Sequence, residues 1–388
     1  MRVFLVAGEA SGDKLGAALM AGLKLQTGVE FHGVGGQLMQ AEGMQSLFPM
    51  DELSVMGLAE VLPKYPELRR RLHQTAKAVL DLQPDLLITI DSPDFGLRVA
   101  KLVKAESTIR TVHYVAPSVW AWRPKRADKM AKVIDHVLAL LPFEPPYMTA
   151  AGMECDFVGH PVVEEPNATD EEIKNFRSEF ELSDRPVLLA LPGSRRGEVN
   201  RLAPVFGPAI TAFKQMNAEF EVVVPAAGSV ADLVKQQVRD WGVMVHVLDP
   251  NAYDLATAQA HKRAAFRTAD LALAASGTVS LELAATETPM VIAYDFNKIT
   301  RFLMKRMALI DTATLVNLVS DTRVVPECLF ENCRAELIAE QLREIKEHPE
   351  DQIAAMRLTM ERLGKGGEAP GLRAAKAVLK RMNDGEAE

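Results

Sequence analysis

Along the 388-residue chain, short runs of consecutive apolar residues alternate with longer stretches whose apolar positions recur every three or four residues. In the first half the runs are VFLVAG (3–8), DLLITID (85–91), IRTVHYV (109–115) and HVLALL (136–141). Helical patterns follow them from Asp13, from Phe95 to Ala105, from Arg123 to Lys132 and from Pro145 to Ala151. A strand that reads as an unbroken apolar run is covered on both faces, and a helix between successive runs supplies the crossover that parallel strands require. The pattern predicts a Rossmann-like α/β domain over residues 1–165. After Gly159-His160-Pro161 the chain turns polar and acidic through EEPNATDEE (164–172), the composition of a linker or a solvated helix start.

The rhythm then begins again with PVLLALPGS (186–194), FEVVVPAAG (220–228), VMVHVL (243–248), ADLALAASGT (269–278) and TPMVIAY (288–294). A second parallel-sheet domain is expected over 166–388, carrying a basic amphipathic stretch from Lys298 to Arg306 and C-terminal helices from Arg334 to Met382. Two Rossmann-like domains with parallel sheets facing a cleft is the outline of GT-B glycosyltransferases. Some epimerases and two-domain dehydrogenases share it, so the outline leaves the chemistry open.

Composition narrows the classes. With 48% hydrophobic and 25% charged residues the chain can fill two cores and does not have the make-up of a disordered protein. Its three cysteines, Cys155, Cys328 and Cys333, form no paired spacing, which argues against a disulfide framework or a four-cysteine zinc site and for a reducing compartment. The start, MRVFLVAGEASGD, has too short an apolar run for a signal peptide and reads as a buried strand. No run approaches the roughly 18 apolar residues of a membrane span, so membrane contact is expected to be peripheral. A formal charge of -8 speaks against general nucleic-acid binding. The clusters Arg69-Arg70-Arg71 and Arg123–Lys132 are local anion sites or solvated helix faces. The eight histidines are scattered, and neither a metal nor a cofactor is expected.

Candidate chemistry lies where runs give way to helices. In the second half, ASGT (275–278) follows an apolar strand and opens a helix containing Glu282. Ser276, Gly277 and Thr278 offer hydroxyls and backbone N–H groups to a diphosphate, and Glu282 can accept from ribose hydroxyls; an ordinary N-cap is the other reading. LPGSRRGEV (191–199) repeats the construction, with Gly193 and Ser194 in the turn. A guanidinium on Arg195 or Arg196 can grip phosphate oxygens, or the pair is simply exposed. Neither loop fits a P-loop or the dinucleotide fingerprint.

In the first half, AGEASGDKLGA (7–17) carries a strand into a helix through a small polar turn, with Glu9 at the strand's carboxyl end and Ser11 just beyond. Asp91 ends the strand DLLITID, with Asp94 the expected cap of the next helix. A carboxylate there can take a proton from an incoming hydroxyl, or it can bond nearby turn N–H groups. Trp120 and Trp122 beside a basic helix suit an acyl-sugar phosphate or an interface, or they pack a loop. The stretch Leu53–Leu72 combines apolar residues with Lys64 and three arginines, a candidate interfacial dock or a core-facing helix with a charged outer face.

In order and spacing, AGEASGD, GVGG with MQAEG, MDELSVMGLAEVLPK, IDSPDF, HYVAPSVWAWRPKR, LPFE, FVGHP, LPGSRRGEV, ASGTVSLE, PMVIAY and LVNL resemble the lipid-A-disaccharide synthase family, from Arg2 to about Leu342. PSVWAWRPKR and MGLAEVLPK are the blocks most particular to it. The resemblance implies an inverting transferase joining UDP-2,3-diacylglucosamine to 2,3-diacylglucosamine 1-phosphate (lipid X), with release of UDP and formation of the β(1→6) disaccharide. Carried over, Arg195, Ser276, Gly277, Thr278, Glu282 and Asn317 belong to the UDP side, while Glu9, Ser11 and Asp91 face the acceptor. It further implies a peripheral enzyme at the cytoplasmic, anionic face of the inner membrane of a Gram-negative bacterium, able to form a homodimer. A UDP-sugar epimerase and a non-catalytic acyl-sugar-binding protein are the rival readings. The segment Leu248–Asp270 is longer than its family counterpart, which leaves the uracil contacts open, and the tail NDGEAE matches nothing specific.

Overall fold

The structure, a computed structural model, describes residues 1–53 and 58–386. Among them, seven strands form the first sheet: β1 (Arg2–Ala7), β2 (Glu30–Val34), β3 (Gln45–Ser46), β4 (Leu86–Ile90), β5 (Arg110–Tyr114), β6 (His136–Ala139) and β7 (Glu154–Phe157). Their order is β3-β2-β1-β4-β5-β6-β7, and the pairings are parallel. The apolar runs become the central strands because both sheet faces are covered: every residue of β4 and β6 is buried. The second sheet contains β8 (Val187–Leu191), β9 (Glu221–Pro225), β10 (His246–Leu248), β11 (Leu271–Ala274), β12 (Met290–Tyr294) and β13 (Glu327–Leu329) in the order β10-β9-β8-β11-β12-β13, again parallel.

In each sheet the strand order reverses beside its first strand, between β1 and β4 and between β8 and β11. Loops leaving the carboxyl ends of such a pair diverge to opposite faces and leave a crevice, where open α/β sheets bind ligands. Ala7 stands level with Ile90, and Leu191 with Ala274, so in each unit two candidate loops start from the same height.

The division of the chain differs from the expected one. The first compact unit is Met1–Pro161 together with Gly366–Glu388, and the second is Val162–Lys365. The terminal helix Pro370–Glu386 thus returns to the first unit and does not stay with the second. It lies against helix Ala10–Gln26, where a Cβ on Gly22 would meet Gly371 O at 2.6 Å and one on Gly371 would meet Ala18 O at 2.5 Å. Only glycine lets these backbones approach so closely. Arg381 holds Asp156 at the end of β7 through bonds of 2.9 and 3.1 Å, and Arg373 donates to Phe157 O at 3.1 Å.

Other local expectations are revised. Ser92, not Asp94, occupies the N-cap position of helix Pro93–Glu106, without a side-chain cap bond, and Asp94 stands exposed in the first turn. Of the stretch Leu53–Leu72, residues 54–57 and the side chains of 58–64 lie outside the described residues. Within the remainder, Arg71 turns inward and grips Glu52 with two bonds of 2.6 and 2.7 Å, so it is spent on the protein itself. Among the described residues, no helix is long and apolar enough to cross a membrane.

Candidate active site

In the second unit, β8 passes through Gly193 into helix Arg196–Lys214, and β11 passes through Ser276–Thr278 into helix Val279–Ala285. Both loops line one cavity of about 620 Å³, which also receives the carboxyl ends of β9 and β10. Gly193 has φ +113°, and a Cβ there would sit 2.6 Å from that of Glu198, so the turn requires glycine. The Glu198 carboxylate accepts from the N–H groups of Ser194 (3.1 Å) and Arg195 (3.3 Å), and Tyr294 donates to its other oxygen at 3.2 Å. The loop is thereby held while the Arg195 side chain, 68% exposed and 3.6 Å from Glu198, extends outward.

Gly277 has φ +152° with open space where a Cβ would lie, so a ligand can come directly against this backbone. The Ser276 hydroxyl donates to Ala313 O at 3.0 Å and retains its capacity to accept. The helix after Thr278 has seven residues, and in its first turn the Ser280 and Leu281 N–H groups already donate to Gly277 O at 3.3 Å and Thr278 O at 2.9 Å, so what this loop offers an anion is its hydroxyls and the open backbone at Gly277 more than a long macrodipole. Glu282, one turn on, forms a 2.5 Å ion pair with Lys262.

Lys262 belongs to the segment whose role the sequence left open. Helix Leu255–Thr268 and the turn before it supply the opposite wall through Asp249, Tyr253, Gln259, His261 and Lys262. The Tyr253 ring meets His261 edge-on, with centroids 4.5 Å apart. Glu179, outside the wall, accepts from the Tyr253 hydroxyl at 2.9 Å and stands 3.0 Å from His261 Nε2. Sequence reading missed Glu179, Glu198, Tyr253 and Lys262, because each acts through a partner distant in the chain or on the far side of a helical turn.

Asn317, expected on the UDP side, is not in the cavity lining. It is buried, and its amide donates to Thr312 Oγ1 (3.2 Å) and Val325 O (2.9 Å) while accepting from Val325 N–H (3.0 Å). These bonds consume the group in clamping two backbone segments together.

In the first unit, the loops after β1 and β4 bring Glu9, Ser11 and Asp91 to one edge. Glu9 occupies the N-cap position of helix Ala10–Gln26, and the Ser11 hydroxyl donates to Asp91 Oδ2 at 2.8 Å. Asp91 and Ser92 both have left-handed backbones, with φ +50° and +39°, a conformation that costs non-glycine residues energy and recurs at functional sites. The second Asp91 oxygen accepts from Ser92 N–H at 3.0 Å, as in a turn carboxylate, and the Asp91 N–H donates to Tyr114 O at 2.9 Å. On the next strand, burial pushes the His113 imidazole down to about 4, against the attraction of Asp91, so it is neutral at pH 7. Its Nδ1 lies 2.7 Å from Thr89 Oγ1.

The two tryptophans divide. Trp120 is buried, edge-on to Phe143 at 5.1 Å, and donates its N–H to Glu144 at 3.2 Å. Trp122 lies under the Arg123 guanidinium at 4.2 Å, nearer the surface. Glu144 also accepts from the N–H groups of Leu140 and Leu141, yet burial pushes its carboxyl up to about 7. Among the described residues, no group of three or more His, Cys, Asp or Glu side chains is arranged to hold a metal ion.

The Lipid-A-disaccharide synthetase family model matches residues 3–379. Lipid-A-disaccharide synthase of Ruegeria pomeroyi is 65% identical across 98% of this chain and 96% of its own length, and that of Rhodospirillum centenum is 45% identical across 97% and 94%. Among solved structures, UDP-GlcNAc 2-epimerase from Neisseria meningitidis bound to UDP-GlcNAc superposes with a TM-score of 0.65 at 14% identity, covering 99% of this chain and 100% of that one. Anabaena Alr3699/HepE in complex with UDP and glucose gives 0.58 at 11%, over 99% and 100%. At such identities the structural likeness is one of fold, and it agrees with the expected GT-B-like pair of parallel-sheet α/β domains. With the family match spanning nearly every residue and both sheets in place, the chain belongs to the lipid-A-disaccharide synthetase family.

Proposed function

We propose that the chain is an inverting glycosyltransferase that joins UDP-2,3-diacylglucosamine to 2,3-diacylglucosamine 1-phosphate, giving the β(1→6) disaccharide 1-phosphate and UDP. The observation that carries this, beside family membership, is the convergence of two strand-to-helix loops on one cavity at the β8/β11 reversal. In this reading the diphosphate lies against Gly193–Arg195 and Ser276–Thr278, and Glu282, steadied by Lys262, accepts from the ribose. Tyr253 forms part of the nucleoside wall. Asn317 acts indirectly, holding Thr312 beside the Ala313 carbonyl that receives the Ser276 hydroxyl.

The acceptor belongs to the first unit, with Asp91 as base. Its carboxylate takes the proton of the 6-hydroxyl as that oxygen attacks C1 of the donor from the side opposite the phosphate. The C1–O bond breaks with inversion, and UDP departs with the electron pair. Arg195 and the loop N–H groups stabilise the charge growing on the leaving oxygen, commonly the largest catalytic contribution. Ser11 fixes one Asp91 oxygen and leaves the carboxylate oriented. No cofactor takes part. Both substrates are acylated, so the reading includes peripheral work at the cytoplasmic face of the inner membrane by a chain able to form a homodimer.

The test is to supply UDP-2,3-diacylglucosamine in detergent with and without the monosaccharide phosphate and to follow products by mass spectrometry. Disaccharide and UDP are expected only with both. Conversion of the donor alone would indicate an epimerase, and binding without UDP release would indicate a carrier.

A further inference from the structure

Glu172, Phe176 and Glu179 are spaced by four and then three residues, which sets them on one face of helix Asp170–Glu179. That face lies against helix Leu255–Thr268 and the turn before it. At one end Glu172, already bonded to Thr169 in a capping box, accepts from Arg263 at 2.5 Å. In the middle Phe176 is buried, its ring centroid 6.2 Å from that of His261, and Phe180 stands edge-on to the same imidazole at 5.5 Å. At the other end one Glu179 oxygen accepts from the Tyr253 hydroxyl at 2.9 Å, and the second stands 3.0 Å from His261 Nε2. The other imidazole nitrogen, Nδ1, is buried and finds no partner among the described residues, so Glu179 is the polar group that orients this ring. Tyr253 and His261 line the cavity, whereas Glu172, Phe176 and Glu179 do not.

We propose that Glu179 is a positioning residue for the nucleoside half of a nucleoside diphosphate: from outside the cavity, its two oxygens fix the two rings of the wall before the ligand arrives. The inference rests on the proposed UDP site in this cavity. The diphosphate loops at Gly193 and Ser276 spring from β8 and β11, whose pairing holds them. Tyr253 has no such anchor, since it joins the short turn Pro250–Ala252 to the helix outside any strand. A side chain already held in its bound rotamer does not lose that freedom again on binding. Fixing Tyr253 and His261 therefore strengthens binding of the nucleoside and leaves the diphosphate contacts and the chemistry at C1 alone. Because the gain is the same for bound donor and transition state, it enters KM and not kcat. The Glu179 side chain is itself exposed to water, which limits its bonds to a severalfold effect.

The experiment is calorimetric titration of the full chain with UDP, and with pyrophosphate as a probe that meets only the diphosphate loops. Glu179→Ala is expected to raise the UDP Kd about fivefold and to leave the pyrophosphate Kd within about twofold of wild type. Tyr253→Phe, which keeps the ring and loses the hydroxyl, should raise the UDP Kd about threefold, and adding it to Glu179→Ala should cost nothing further. Glu179→Gln should retain UDP affinity, because the amide oxygen accepts from Tyr253 and the imidazole, by changing tautomer, accepts from the amide N–H. In the transfer assay, the donor KM of Glu179→Ala should rise in step with the UDP Kd at unchanged kcat. An alanine variant that binds UDP like wild type overturns the proposal. So does one that loses pyrophosphate as much as UDP, which makes Glu179 a support of the whole unit, or a glutamine variant as weak as the alanine one, which reduces the effect to charge. Wild-type chain that binds no UDP overturns the reading of the cavity and this inference with it, while wild type that binds UDP but transfers nothing leaves the Glu179 result standing.

Discussion

The Ser11 hydroxyl reaches Asp91 across 80 residues of sequence and donates to its Oδ2 at 2.8 Å. Because β1 and β4 are neighbours, this bond ties the two loops of the first unit's crevice together and fixes the carboxylate. If Asp91 is the base, Asp91→Asn should lower kcat by roughly 100-fold or more while UDP binding, measured by calorimetry, stays the same. Ser11→Ala should lower kcat by about three- to tenfold, since the base remains but loses one restraint. Wild-type turnover in the Asp91 variant would remove it from the mechanism.

Arg195 is held at its backbone by Glu198 and extended at its side chain, the arrangement for meeting a phosphate. Arg195→Ala should weaken UDP binding roughly tenfold, and Arg195→Lys should recover only part, because a point charge does not replace a fork of donors. Gly193→Ala should reach a comparable loss by another route, forcing a Cβ against Glu198 at φ +113°. Titration calorimetry with UDP checks all three.

Much of this site was legible in the sequence. A parallel strand is an apolar run followed by a small polar turn, so the loops at Gly8–Ser11, Asp91, Gly193 and Ser276 could be read directly, and the strand-order rule placed them in pairs. What stayed hidden is non-local. Nothing near Glu179 indicates that it bonds Tyr253, 74 residues away. Asn317 looks like any polar residue on a helix until its amide is found spent on Val325. The return of the terminal helix depends on two facing glycines, Gly22 and Gly371, in helices that carry no periodic signal for each other.

Glu144 gives the first unit a pH dependence. Its folded pKa, about 7, lies above the ordinary 4.5, so between these values the folded state holds a proton that the unfolded state has lost. The contribution is complete below about 4.5 and is lost as pH rises through 7, to a total of about 3 kcal/mol. Glu144→Gln should flatten this part of the profile, so its stability relative to wild type should rise from pH 5 to pH 8. Urea unfolding at both values measures it; an unchanged difference would show that the carboxyl titrates normally.

Gly371→Val would place a side chain where Ala18 O already lies 2.5 Å from an ideal Cβ. Separating two backbones is more costly than moving a side chain, and about 1–3 kcal/mol of destabilisation is expected. Hydrogen exchange should show protection falling in helix Ala10–Gln26 while β8 and β11 keep theirs.

That helix contact also orders events during synthesis. Helix Ala10–Gln26 leaves the ribosome before the second unit, but the helix that covers it arrives only after all of Val162–Lys365 has been made. Until then the nascent first unit must keep Leu19 and Leu23, fully buried in the finished protein, from other partners. The second unit can fold as it emerges, whereas the first is completed last.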